Sequence, residues 1–106
     1  MDGALGGLIA RFRDHLGLER RASSHTVLAY GRDLDELGSF VRERCGREAR
    51  LGDIDKLLLR SWLGELSRRL SPVSLSRKLS SVRAFFAWLE RESLTRENPA
   101  ALLKSP

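Results

Sequence analysis

The chain has 106 residues, with 19 Lys and Arg against 14 Asp and Glu, one cysteine, three prolines and nine glycines. That length suits one domain around one core and is short for a TIM barrel or a two-half dinucleotide-binding fold. Hydrophobic residues at 42% and charged residues at 31% make a balance that folds rather than stays disordered.

No alternating strand pattern appears, so the chain reads as all-α. A first helix is expected near 4–18, with Leu5, Leu8, Ile9, Phe12 and Leu16 on one face. Gly6 and Gly7 weaken its start, because glycine costs about 1 kcal/mol in a helix. A second helix is expected from about 24 to 45, where Val27, Tyr30, Leu34, Leu37, Val41 and Cys45 recur at three- and four-residue steps. Gly31 and Gly38 fall near that stripe and would let a neighbouring helix approach closely. Gly46 is a stop signal, and residues 46–53 form a polar connection.

A third helix is expected from about 55 to 69. Asp55 is its N-cap, and Ile54 and Leu59 stand where a hydrophobic staple needs them. Leu58, Leu59, Trp62, Leu63 and Leu66 are its apolar residues. The fourth helix runs from about 72 to 92 with Pro72 in the first turn. Leu75, Leu79, Val82, Phe86 and Leu89 form its inner stripe, widened by Phe85 and Trp88. Asn98-Pro99-Ala100 reads as an N-cap with proline at the first helical position, opening a short turn through Leu103. The expected fold is a compact bundle of four main helices plus that short C-terminal helical turn. Residues 1–106 form one domain on this reading.

The net charge of +5 is unevenly placed. Residues 1–65 are balanced, while residues 66–106 carry eight basic and three acidic side chains. Between Glu65 and Glu90 lie Arg68, Arg69, Arg77, Lys78 and Arg83 with no acid. A smaller gap between Glu19 and Asp33 holds Arg20, Arg21 and Arg32. Basic patches of this kind suit a polyanion such as nucleic acid, or else form a solvated charged face.

Both windows contain a helix start of the form Ser-x-x-(Ser/Thr)-aliphatic: Ser23-Ser24-His25-Thr26-Val27 and Ser71-Pro72-Val73-Ser74-Leu75. Each offers hydroxyls and free N–H groups where the helix dipole favours anions. The ordinary reading is N-capping. On a helical wheel advancing about 100° per residue from Leu75 at zero, Arg83 falls at about 80°, Ser76 at about 100°, Ser80 at about 140° and Arg77 at about 200°. These four line an outward arc of cations and short hydroxyls, suited to phosphate and guanine. Lys78, at about 300° on the other flank, is a solvated lysine or a contact to a separate phosphate.

Catalytic and metal chemistry is not legible. His15 and His25 stand ten residues apart without a Cys/His/Asp cluster, so neither a metal site nor a cofactor is expected. No P-loop, dinucleotide fingerprint or nucleophile elbow occurs. Tyr30, Trp62 and Trp88 lie on apolar stripes and read as core. No apolar run reaches the roughly 20 residues of a membrane span. Leu5 to Ala10 is too short for a signal peptide. Cys45 has no internal partner for a disulfide, so a reducing cytoplasm is the expected compartment.

Three stretches together resemble a known family: Ser23-x-x-Thr26-Val27-x-x-Tyr30-x-x-Asp33-Leu34; Leu79-Ser80-x-Val82-Arg83-x-Phe85-Phe86-x-Trp88-Leu89; and Asn98-Pro99-Ala100 with a final Pro106. Their order and spacing over roughly residues 8–106 resemble the N-terminal core-binding, SAM-like domain of XerC/XerD-type tyrosine recombinases of the phage integrase family. The Arg83-to-Leu89 stretch is nearer the XerC form. The resemblance implies a helical module whose second and fourth helices approach the DNA major groove opposite a larger catalytic domain. Carried onto this chain, the DNA-binding positions are Ser23, Ser24, His25, Thr26, Arg32, Ser74, Ser76, Arg77, Lys78, Ser80 and Arg83. Pro72 removes one backbone donor at the fourth-helix start. The nucleophilic tyrosine and its activating residues belong to the family's catalytic domain, expected beyond residue 106, so this stretch is not itself an enzyme and Tyr30 is not the nucleophile. The implied partners are double-stranded DNA at a recombination half-site and further recombinase protomers. The implied process is cutting and rejoining DNA through a phosphotyrosine link, as in chromosome dimer resolution at cell division. A small helical protein-interaction domain and a stand-alone DNA-binding regulator are the competing readings.

Overall fold

Residues 3–18 and 22–104 are described by the computed structural model. They divide into two compact units, Met1–Asp53 and Ile54–Pro106. Among the described residues the all-α expectation holds, with four α-helices.

In the first unit, helix α1 spans Leu5–Leu18 and helix α2 spans Ser24–Cys45. Leu5, Leu8, Ile9, Phe12 and Leu16 are all buried, because their spacing sets them along one side of a 3.6-residue helix. That side packs on α2, which buries Gly31, Leu34, Leu37 and Val41. Val27, Tyr30 and Cys45 lie at the margins of the stripe and are half-buried. Asp33 is fully buried and engaged by the protein.

The two glycines on α2 make different room. At Gly38 the nearest neighbour of a Cβ would be Leu5 Cδ2 at 3.8 Å, an ordinary contact. At Gly31 a Cβ would overlap the Arg13 guanidinium, lying 2.7 Å from its Cζ. Arg13 crosses over Gly31 and its Nη2 donates to Asp35 Oδ2 at 2.6 Å. The bare backbone of Gly31 therefore admits a cationic side chain rather than another helix.

Gly46 ends α2 at φ 68°, its N–H bonded to the Arg42 carbonyl at 2.9 Å. Glycine is suited to this left-handed cap. The connection that follows is tied down rather than merely polar. Ala49 and Leu51 are buried, and Leu5 N–H donates to Ala49 O at 3.0 Å while Leu51 N–H donates to Gly3 O at 3.1 Å. Ala4 and Arg50 form an isolated antiparallel bridge, and a 3-10 turn covers Leu51–Asp53. The residues before α1 are thus laced to the segment after α2.

In the second unit, helix α3 spans Lys56–Leu66 and helix α4 spans Pro72–Arg91. Asp55 caps α3, its Oδ1 accepting from Leu58 N–H at 2.7 Å. Ile54 and Leu59 are both buried, as a staple requires. The helix stops three residues short of the expected 69. Ser67 Oγ bonds back to Gly64 O at 2.6 Å, and the N–H groups of Arg68 and Arg69 turn to carbonyls three residues back. Such i→i+3 bonds tighten a last turn and end the α-helical ladder.

On α4, Leu75, Leu79, Val82, Phe85, Phe86, Trp88 and Leu89 are buried. Phe85 meets Phe86 edge-on at 5.5 Å between ring centroids and stacks on Trp88 at 6.4 Å. Beyond the helix, Ser93 sits at φ 56° while Leu94 N–H donates to Leu89 O at 2.8 Å, the six-to-one closure of a Schellman motif. Asn98 then caps the final turn, its Oδ1 accepting from Ala100 N–H at 3.1 Å, and Ala100 and Leu103 are buried.

Candidate nucleic-acid interface

The repeated Ser-x-x-(Ser/Thr) signature is a repeated cap. Ser23 at φ −63°, ψ 154° accepts from Thr26 N–H at 3.1 Å, and its hydroxyl meets Thr26 Oγ1 at 3.0 Å. Ser71 at φ −71°, ψ 160° accepts from Ser74 N–H at 3.3 Å, and its hydroxyl meets Ser74 Oγ at 3.2 Å. The ordinary capping role accounts for one hydroxyl of each pair satisfying the other. Both helices therefore present the positive end of their dipole behind a neutral hydroxyl pair, with no acid in the first turn.

In the first unit, Ser24, His25 and Arg32 are exposed and Thr26 is half-buried. Among the described residues, Arg32 makes no ion pair. Arg20 and Arg21, the other cations of that window, lie outside the described residues.

In the second unit, the cations of the long acid-free window separate into three kinds. Arg77 is exposed near the start of α4, as is Ser80 one turn on, while Ser74 and Ser76 are half-buried. Arg83 is half-buried, and its Nη2 donates to the carbonyl of Leu103, holding the C-terminal turn against α4. Lys78 is only 5% exposed and engaged by the protein. The solvated reading of Lys78 is thereby corrected. On the wheel Lys78 lies between the aliphatic stripe and a second buried group, since Phe85, Ser81 and Trp88 fall at about 280°, about 240° and about 220°. All of those are buried, so the inward face of α4 covers about half the wheel rather than a narrow stripe. Ser81 is fully buried and donates to Arg77 O at 3.3 Å.

Two cations absent from the expected site stand out. Arg68 and Arg69 are exposed in the 67–71 connection immediately before the α4 cap, and neither side chain makes an ion pair among the described residues. The same acid-free window that drew attention to Arg77 contains them. Together with Arg77 and Ser80, they give the N-terminal end of α4 three exposed cations and a small hydroxyl in one unit. Among the described residues, no group of three His, Cys, Asp or Glu side chains is placed to hold a metal ion, and no helix is long and apolar enough to cross a membrane.

Residues 9–93 match the family model of the phage integrase N-terminal SAM-like domain. The chain belongs to this family. That span runs from α1 to just past α4 and includes every candidate residue above. Among relatives of this SAM-like domain, the tyrosine recombinase XerC of Pelobacter propionicus is 41% identical over 98 residues, covering 92% of this chain and 32% of that protein. The tyrosine recombinase XerC of Myxococcus xanthus is 36% identical over 103 residues, 97% of this chain and 34% of that protein. A tyrosine recombinase of Pseudothermotoga lettingae is 34% identical over 102 residues, 93% of this chain and 35% of that protein. The chain thus spans about a third of the length of these relatives.

Proposed function

We propose that this chain is the DNA-binding module of a site-specific tyrosine recombinase of the XerC type, with residues 1–106 acting as one core-binding domain. The observation that carries the reading is the SAM-like family match over residues 9–93, whose span includes the two capped, acid-free helix starts. Arg68, Arg69 and Arg77 meet phosphates, while Ser80 lets α4 lie close to the groove floor. On α2, Ser24, His25 and Arg32 supply the second set of contacts. Arg83 and Lys78 serve the fold first, so their part in DNA contact is smaller than their charge suggests.

In the whole protein, strand exchange proceeds through a phosphotyrosine link made by a separate catalytic domain, without a metal ion. Chromosome dimer resolution at cell division, in the cytoplasm and with partner recombinase protomers, is the process that fits an XerC-type protein. The module binds duplex DNA weakly on its own, with micromolar affinity or worse at physiological salt, because only a few of its cations lie on the proposed contact face and the catalytic half of the clamp is a separate domain.

The test is a titration of duplex DNA at several salt concentrations. Arg77→Ala and the Arg68→Ala/Arg69→Ala pair should each weaken binding and reduce the log–log salt slope by about one for each phosphate no longer neutralised. Arg96→Ala, an exposed cation beyond the far end of α4, should leave both unchanged. An equal weakening in all three would mean that charge alone acts and that α4 is not the docking element.

A further inference from the structure

The second unit holds a groove away from the start of α4. Lys56, Arg60 and Leu63 of α3 form one wall, and Leu102, Leu103 and Lys104 of the C-terminal turn form the other, enclosing about 460 Å³. Three of the six lining side chains are cations and none is an acid. Among the described residues, none of the three cations makes a hydrogen bond or ion pair through its side chain. Asp55, next to Lys56, is committed to the α3 cap through its bond from Leu58 N–H, and Glu65, the acid within α3, falls about 180° from Lys56 on the wheel.

The groove is apolar as well as basic. Leu102 at its edge is 78% exposed, and Leu63 on the opposite wall is half-buried. Gly64, whose Cβ position would meet nothing within 4 Å, leaves the adjoining surface of α3 low. Exposed leucine next to unpaired cations is a poor surface for nucleic acid, whose backbone needs cations and small polar groups. It suits a polypeptide that brings both apolar side chains and carboxylates. Lys and Arg stems extend the apolar surface while their charged heads stay in water.

We propose that this groove docks an acidic amphipathic segment of a partner protein. The segment's apolar residues cover Leu63, Leu102 and Leu103, and its carboxylates meet Lys56, Arg60 and Lys104. The mode is an amphipathic helix laid into a groove, with charge complementarity setting its register and partner choice.

The probe is a fluorescein-labelled synthetic helix of about 18 residues with leucines at i, i+4 and i+7 flanked by glutamates. Anisotropy titration with the 106-residue chain should give saturable binding that weakens as salt is raised. Lys56→Glu/Arg60→Glu and, separately, Leu102→Glu should each weaken it about tenfold or more, while circular dichroism shows the fold retained. Duplex DNA binding should be unchanged by Leu102→Ser and should fall less with Lys56→Gln/Arg60→Gln than with Arg68→Ala/Arg69→Ala, which removes the same two charges. The proposal is overturned if the peptide does not saturate, or if a peptide of the same composition with scrambled leucine spacing binds equally. It is also overturned if Lys56→Gln/Arg60→Gln weakens DNA binding as much as Arg68→Ala/Arg69→Ala, which removes the same two charges, since the groove would then be a nucleic-acid surface.

Discussion

Arg47 grips Asp53 with both terminal nitrogens, at 2.9 Å to Oδ2 and 2.8 Å to Oδ1. The same guanidinium donates to Glu48 O at 2.9 Å, and Asp53 Oδ2 also accepts from Arg50 N–H at 2.8 Å. One carboxylate thereby closes the segment between α2 and the 3-10 turn. The charged hydrogen bond from Arg47 comes first among the causes that hold the Asp53 carboxyl below its ordinary value, with the Arg50 N–H adding to it against some desolvation.

A lowered folded-state pKa means that the contribution is present above the unfolded pKa of about 3.9 and is lost as pH falls through the folded value. Asp53→Asn should therefore lower stability near neutral pH and make little difference in strong acid. Arg47 is 47% exposed and Asp53 14%, so solvent screening limits the effect to about 1 kcal/mol. Thermal melts of both proteins across that pH range decide it; a constant difference at every pH would show that the charge is not involved. Arg47→Ala loosens this clasp, which makes Arg47 unsuitable as an inert control for DNA binding.

Gly31→Ala should be nearly neutral in the native chain. Alanine gains about 1 kcal/mol of helix propensity over glycine, while its methyl displaces Arg13 from the path that leads to Asp35. The exposed Arg13–Asp35 pair is worth about 0.2–1 kcal/mol. In an Arg13→Ala background the obstruction is gone, and Gly31→Ala should stabilise by about 1 kcal/mol. A double-mutant cycle from urea unfolding measures the coupling. Equal effects in both backgrounds would mean that Arg13 is not what fills the glycine's space.

Ser93→Gly should stabilise the second unit. A non-glycine residue at φ 56° crowds its Cβ against the backbone, a cost of about 1 kcal/mol that glycine does not bear. A rise of about 0.5–1 kcal/mol in chemical unfolding is expected, tempered by the extra freedom of glycine in the unfolded chain. A drop in stability would show that the serine side chain holds the cap.

Phe86→Ala and Lys78→Ala should both act on folding. Phe86 is 1% exposed, and truncating it costs about 3–5 kcal/mol. Lys78 is 5% exposed and engaged by the protein, so Lys78→Ala removes a buried polar interaction, at a cost of about 1–3 kcal/mol. Arg77→Ala, one position away and exposed though also engaged by the protein, should lower the melting temperature less than either. If Lys78→Ala melts like the native protein, the inward half-wheel of α4 is wrong.

The elements that the sequence disclosed are those governed by neighbours within one or two turns. The Ser23, Asp55 and Ser71 caps, the Gly46 stop and the Asn98 turn each satisfy orphan backbone groups with side chains two or three residues away, or supply a left-handed bend. Local chemistry therefore announces them. The buried faces of α1 and α4 follow from helical periodicity for the same reason. The early end of α3 escaped because the apolar pattern carries on to Leu70, while Ser67 competes for the Gly64 carbonyl.

What the tertiary structure alone decided concerns charged residues. Arg68, Arg69, Arg77, Lys78 and Arg83 occupy one acid-free stretch, yet they become exposed, buried and bonded cations. Their fates depend on how much of the α4 wheel is covered and on where Leu103 returns, and neither is encoded within a turn of the cation itself. Arg13 over Gly31, Arg47 on Asp53 and the bridge between Ala4 and Arg50 likewise join residues far apart in sequence. A charge at such a position has a local propensity but no local partner. Its solvation, and hence its availability to a ligand, is settled only when distant backbone closes around it.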